Sequence, residues 1–244
     1  MNILVSNDDG ISSEGILALA EVLSENNKVT VIAPDGNRSG FSHSLSVDKD
    51  LCFKECSISE KFKSYSLTGT PADCVKFAFH YLRDEKIDIV CSGVNLGNNL
   101  GSDTVYSGTV SAGLEGNFFG VPSIAFSLVA FNNFKWDSCR KLIRETFPEL
   151  VKISSEKYTL NVNFPNKDYN EIKGVRLCRL GRQLYSDNYC EVTKGLYRLM
   201  GEPIDVKQEE CDVTLVKNNF VSVTPIRYDR TDTEALNLIK GNKK

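Results

Sequence analysis

The sequence predicts an α/β fold built on a doubly wound, mostly parallel sheet. Short apolar runs alternate with helical patterns through the first part of the chain. The runs are apolar at consecutive positions, as strands buried on both faces are. Polar, glycine-bearing loops follow the runs, where strands end. A chain of 244 residues can bury a substantial core. We read 1–244 as one domain, because its least regular stretch, 182–226, has too little apolar content for a core of its own.

Ile3 to Ser6 is the first apolar run, ended by Asn7-Asp8-Asp9-Gly10. Ile16, Leu19, Ala20 and Leu23 then recur on one helical face. Val29 to Ala33 is a second strand, closed by Pro34, and residues 45–69 read as a β-rich excursion. Thr70-Pro71-Ala72-Asp73 opens a helix: Thr70 as cap, Pro71 at the first helical position, Asp73 completing a capping box. Ile87 to Cys91 is another buried strand, and a long polar loop, Ser92 to Ser107, leads into a helix rich in small residues. Pro122 to Leu128 is a strand, 136–153 a helix and Tyr158–Phe164 a strand. Residues 182–212 are polar and tyrosine-bearing with no clear helix, and Phe220 to Ile226 alternates as a strand. The whole of 182–226 is read as an extended β excursion that a partner chain covers.

The formal charge is −3, hydrophobic residues make up 41% and charged residues 25%. Without a basic stripe, binding to a nucleic-acid polymer is not expected. No apolar run reaches transmembrane length and no basic leader precedes one, so the chain is read as cytoplasmic, with no membrane partner. None of the eight cysteines forms a Cys-x-x-Cys pair, and the two histidines give no zinc spacing. Free thiols within apolar runs are the reading that follows.

In parallel α/β sheets, ligands bind beyond the carboxyl ends of the strands. Three loops converge there: Asn7-Asp8-Asp9-Gly10, Asp35-Gly36-Asn37-Arg38-Ser39-Gly40 and Ser92-Gly93-Val94-Asn95-Leu96-Gly97-Asn98-Asn99. Adjacent carboxylates repel unless something positive lies between them, and carboxylate, hydroxyl and amide oxygens suit Mg²⁺, Mn²⁺ or Ca²⁺ better than zinc. Asn-Asp-Asp-Gly is equally good turn chemistry. Ser107-Gly108-Thr109 opens a helix, whose N-terminus can receive an anion, although a simple Ser cap is the commoner use of such residues. His43 suits an acid–base role or a hydrogen bond within its loop, and the latter is favoured. His80 has no evident partner. Phe131-Asn132-Asn133-Phe134 with Trp136 reads as a helix lead-in more than as a cover over a base-binding cleft.

Together these loops resemble the SurE family, the survival-protein nucleotidases. The resemblance rests on Ile3-Leu4-Val5-Ser6-Asn7-Asp8-Asp9-Gly10-Ile11, Ala33-Pro34-Asp35 with Asn37-Arg38-Ser39-Gly40, Gly69-Thr70-Pro71-Ala72-Asp73-Cys74-Val75, Ser92-Gly93-Val94-Asn95 with Gly97, Ser107-Gly108-Thr109-Val110, and Val221-Ser222-Val223-Thr224-Pro225. These stretches follow the family's order and span nearly the whole chain. The resemblance implies a Rossmann-like fold with a protruding C-terminal β segment used in dimerisation, so a homodimer or homotetramer. It implies hydrolysis of nucleoside 5′- and 3′-monophosphates, with activity on short polyphosphate in some members. One divalent ion per subunit is implied, held by Asp8, Asp9, Ser39 and Asn95. Asp8 or Asp9 then serves as catalytic base, the sequence not deciding which, while Gly40, Ser107, Gly108 and Thr109 cradle the phosphate.

Two other classes fit less well. A receiver domain needs a phospho-accepting Asp at a later strand end, where Ser92-Gly93 stands here. A dinucleotide-dependent oxidoreductase needs Gly-x-Gly-x-x-Gly after the first strand, which Asn7-Asp8-Asp9-Gly10 is not. A nucleotide-binding regulator without catalysis is separated from an enzyme by assaying phosphate release from AMP or GMP with added metal.

Overall fold

The computed structural model describes residues 1–241. β1 (Asn2–Ser6) leads into α1 (Glu14–Ser24), which Ser13 caps by accepting from the Ile16 N–H. β2 (Lys28–Pro34), β3 (Phe53–Cys56) and β4 (Lys63–Leu67) follow. α2 (Pro71–Tyr81) begins on the capping box that its sequence predicts, with both reciprocal Thr70–Asp73 bonds present. β5 (Ile89–Leu96), α3 (Gly108–Phe118), β6 (Ser123–Val129), α4 (Trp136–Ile153) and β7 (Thr159–Pro165) complete the alternating part. Beyond it come β8 (Val175–Leu177), β9 (Leu184–Tyr185), β10 (Asn188–Thr193), β11 (Leu196–Met200), β12 (Pro203–Ile204), α5 (Asp212–Lys217), β13 (Val221–Ile226) and α6 (Thr233–Gly241).

Nine strands form one sheet in the order β3-β4-β2-β1-β5-β6-β7-β13-β8. All neighbours pair in parallel except β3 with β4 and β13 with β7. The core divides by strand parity, as a sheet covered on both faces requires. Ile3, Val5, Ile89, Cys91, Ile124 and Phe126 pack with α1 and α4 on one face, while Leu4, Ile32 and Val90 pack with α2 on the other. α3 is buried almost throughout its length, and its small residues bring it close to Thr159 and Ser123. The chain winds outward from β1 to β2 and β4, then returns to β5 on the other side of β1. β1 and β5 therefore flank the switch point, where open α/β sheets bind ligands.

The structure corrects three boundaries. Residues 45–69 are not wholly an excursion, since β4 enters the main sheet beside β2. Lys63–Leu67 is short and carries Lys63, Ser64 and Ser66, which makes it look like a peripheral strand, although only Lys63 is exposed. β5 runs on to Leu96, so Asn95 sits on the strand's end rather than in a free loop, with the register against β6 shifted between Ser92 and Asn95. The excursion is also shorter than 182–226: β9 to β12 protrude, but α5 and β13 belong to the body. α5 buries Asp212, Val213, Leu215 and Val216, and β13 pairs with β7. Six residues are too few for a helical period to stand out.

No disulfide forms. Cys74, Cys91, Cys139 and Cys211 are buried thiols, whereas Cys52 and Cys190 are exposed. No helix among the described residues is long and apolar enough to cross a membrane.

Candidate active site

The β1–α1 loop is shaped by Asn7. Its amide donates to the Gly10 carbonyl (3.0 Å) and to Ser13 Oγ (2.8 Å), and its Oδ1 accepts from the Gly10 N–H (3.2 Å). Asn7 thus does the turn-making and leaves Asp8 and Asp9 for other work. The second loop docks on the first, the Arg38 N–H donating to the Asp8 carbonyl at 2.6 Å. Ser39 follows on this exposed loop, whose turn is held by its own N–H donating to Asn37 Oδ1 at 2.9 Å. The β5 end supplies Asn95, whose Nδ2 donates to the Gly97 carbonyl at 3.0 Å and so leaves Oδ1 free to coordinate.

Asp8 is buried and Asp9 partly so. Burial pushes the Asp8 carboxyl up to about 6, against the pull of the Thr109 hydroxyl bond, with the neighbouring Asp9 charge adding to the rise. Burial also raises Asp9, opposed by the Leu96 N–H that donates to its Oδ2 at 3.1 Å. Among the described residues, no Lys, Arg or His pairs with either carboxylate. A buried carboxylate beside a partly buried one, without a cationic side chain, forms an electrostatically incomplete arrangement. With the Ser39 hydroxyl and the free Asn95 oxygen they make an all-oxygen donor set, and its chemistry fits a hard divalent cation.

The Asp8 shift has a consequence for stability. A carboxyl whose folded pKa lies near 6 and whose unfolded pKa lies near 3.8 binds more protons in the native state between those values. Its contribution to stability is therefore favourable at low pH and declines as pH rises through about 4 to 6. In a chelating buffer, the melting temperature of wild type relative to Asp8→Asn is expected to fall by several degrees from pH 5 to pH 7. Parallel melting curves for the two proteins would exclude a raised Asp8 pKa.

Asp8, Ser39, Gly40, Asn95 and Ser107 line one cleft of about 290 Å³. The structure distributes the residues expected to cradle phosphate among different tasks. Ser107 lines the cleft and also caps α3, accepting from the Val110 N–H at 3.0 Å. Thr109 is buried, and its hydroxyl donates to Asp8 Oδ1. Gly108 is backbone pressed against Asp8: a Cβ there would lie 2.8 Å from Asp8 Cβ and 3.0 Å from Oδ2. Both residues thus hold the carboxylate in place, while their backbone N–H groups form the amide end of α3, the part of a helix that can receive an anion.

His43 does not bond within its own loop. Its Nε2 lies 2.8 Å from Glu115 Oε2, a buried carboxylate on α3 that also pairs with Lys76 at 3.0 Å. The cluster fastens the Ser39 loop to α2 and α3. Trp136 serves as a helix lead-in, bonding to Glu14 at 2.7 Å, but Phe131 does line the cleft. Asp103, Tyr106 and Tyr185 line it as well, although no motif in the sequence marks them. Asp212 explains how Tyr185 arrives there. Fully buried, it accepts from the N–H groups of Gly101 and Gly181, both at 2.7 Å, and so staples the root of the excursion to the cleft loop.

The family model described as Survival protein SurE matches residues 3–187. The 5′-nucleotidase SurE of Thermosipho africanus is 43% identical over 97% of this chain and 95% of its own length. The protein of the same name from Clostridium beijerinckii is 38% identical over 95% of each chain. The crystal structure of the SurE protein from Aquifex aeolicus matches with a TM-score of 0.86 and 37% identity, covering 100% of both chains. On sequence and fold together, this chain belongs to the SurE family.

Proposed function

We propose that the chain is a phosphomonoesterase that hydrolyses nucleoside 5′-monophosphates to nucleoside and phosphate, with 3′-monophosphates and short polyphosphate as further substrates. The reading is supported by the names of its relatives and rests above all on one observation: Asp8, with Asp9 beside it and no cationic partner for either, lines a cleft that also presents Ser39 and Asn95. These four residues would hold one divalent ion per subunit, Mg²⁺ or Mn²⁺ first and Ca²⁺ as an alternative. When bound, such an ion neutralises charge on the phosphoryl group and on the leaving oxygen. The amide end of α3 receives phosphoryl oxygens. A carboxylate oxygen of Asp8 or Asp9 accepts the proton of the attacking water. Thr109 keeps Asp8 in one rotamer while this happens. Mononucleotides rather than polymers fit the charge of −3, which supplies no basic track.

The test is phosphate release from AMP and GMP. Activity is expected to vanish in EDTA and to return with Mn²⁺ or Mg²⁺. Full activity after exhaustive chelation, with metal content verified, would contradict the ligand assignment.

We also propose that the protein is a homodimer or homotetramer. The β10–β11 hairpin is exposed along its whole length yet carries Tyr189, Val192, Leu196, Tyr197, Leu199 and Met200. α6 buries none of its residues, although Leu236, Leu238 and Ile239 lie on it. Apolar surface of this extent calls for a partner, and a second copy of the chain meets that need by symmetry. Light scattering should report a dimer or tetramer, and Tyr197→Asp with Leu199→Asp should yield a smaller species. An active, well-folded wild-type monomer at micromolar concentration would overturn this.

A further inference from the structure

We propose that the outer part of the cleft is a nucleoside-recognition subsite, in which Tyr106 and Phe131 offer stacking faces to the base and Asp103 accepts hydrogen bonds from the ribose hydroxyls. The inference builds on the phosphatase reading by identifying what holds the rest of the substrate.

Three observations carry it. Phe131 is 85% exposed and Tyr106 65% exposed, yet both line the same cleft as Asp8 and Asn95. Large aromatic side chains left in water at the wall of a binding cleft offer faces on which a base can stack, whatever its identity. Their position also suits the span of a nucleotide. Phe131 lies just past the end of β6, and β6 is two strands from β1 in the sheet. Two strand spacings place it roughly 10 Å across the cleft from the Asp8 end. A ligand held by its phosphate at β1 presents its other end there.

The third observation is Asp103. Its Oδ2 accepts from the Tyr185 hydroxyl at 2.6 Å and from Asn98 Nδ2 at 3.1 Å. These bonds fix the carboxylate at the cleft wall. Among the described residues, no donor reaches Oδ1. A half-buried carboxylate repels a phosphate, so it is misplaced as a phosphate ligand, but it is well matched to a sugar diol, which donates two hydrogen bonds. Tyr185 thereby acts as a positioning residue that sets Asp103 from the base of the excursion.

The experiment compares AMP, 2′-deoxy-AMP and ribose 5-phosphate as substrates, and measures adenosine binding by calorimetry, which needs no turnover. Wild type is expected to prefer AMP to ribose 5-phosphate by at least about tenfold in kcat/KM, the preference residing in KM. In Tyr106→Ala and Phe131→Ala, adenosine binding should weaken about tenfold and the AMP preference should shrink toward unity. Asp103→Ala should erase the preference for AMP over 2′-deoxy-AMP while leaving the preference over ribose 5-phosphate in place. Tyr185→Phe should reproduce the Asp103→Ala pattern more weakly, with an unchanged melting temperature. Equal use of AMP and ribose 5-phosphate, or adenosine binding indifferent to the aromatic substitutions, overturns the subsite even if phosphate is released. Adenosine binding that depends on Phe131 in a protein releasing no phosphate supports the subsite and overturns the phosphatase reading instead.

Discussion

Asp9→Asn is expected to lower turnover about a hundredfold while leaving the fold intact. The two halves of that expectation come from different atoms. Asp9 Oδ2 accepts from the Leu96 N–H at 3.1 Å, and the carbonyl oxygen of an asparagine can accept the same bond. The tip of β5 therefore stays where it is. Turn geometry is also preserved, because Asn7 makes the turn and Asn suits turns nearly as well as Asp. What disappears is one negative charge that would face the proposed ion and phosphoryl group. Losing a first electrostatic contact of this kind removes on the order of 3 kcal/mol of transition-state stabilisation. Asn95→Ala should act in the same direction but less severely, since water can replace a neutral oxygen donor. The readout is turnover at saturating Mn²⁺, recorded beside the melting temperature. Turnover within a few-fold of wild type, with an unchanged metal requirement, would make the acidic pair scaffolding.

The parts of this site that could be read from sequence share one property: the chemistry and the placement signal lie in the same short stretch. Asp8 and Asp9 lie in the turn after the first apolar run, Ser39 in the loop after the next strand, and Asn95 at the end of the third, so the rule for parallel sheets gathers them without any knowledge of contacts. Asp103, Tyr106 and Tyr185 carry no such signal. Tyr185 is brought to the cleft by long-range bonds such as that of Asp212, across 111 residues of chain, to Gly101, and a lone Asp in a polar stretch looks like solvated surface. Glu115 is similar. Its burial and its bonds to His43 and Lys76 come from three separate elements, and a glutamate in a helix of small residues gives no hint of either. Gly108 and Thr109 carry a second task that sequence hides for the same reason. A glycine and a threonine opening a helix predict an anion site, and only the packed structure shows them turned onto the Asp8 carboxylate.

Gly15→Ala should be strongly damaging for a change of a single methyl group, and its sign runs against helix propensity. Gly15 is the second residue of α1, where alanine is ordinarily better than glycine by about 1 kcal/mol. Here a Cβ would stand 1.9 Å from the Val94 carbonyl oxygen and 3.0 Å from its carbon. Neither side of this contact yields easily. α1 is fixed by Ile16, Leu19 and Leu23 in the core, and β5 is held between β1 and β6. Forced overpacking of this kind costs at least about 3 kcal/mol, or a fall of roughly 10 °C in melting temperature for a domain of this size. The damage should also reach the chemistry. Val94 precedes Asn95 and Leu96, so pushing its carbonyl away displaces the Asn95 oxygen and the N–H that holds Asp9. Turnover is therefore expected to fall even at temperatures where the variant remains folded, with the metal concentration for half-activation rising. Gly36→Ala provides the contrast, because a Cβ there meets only the Arg38 guanidinium at 3.6 Å. It should stay within about 0.5 kcal/mol of wild type. A Gly15→Ala protein that melts higher than wild type, as helix propensity alone would have it, would mean that α1 does not press on the β5 strand end and that Asn95 owes its position to something else.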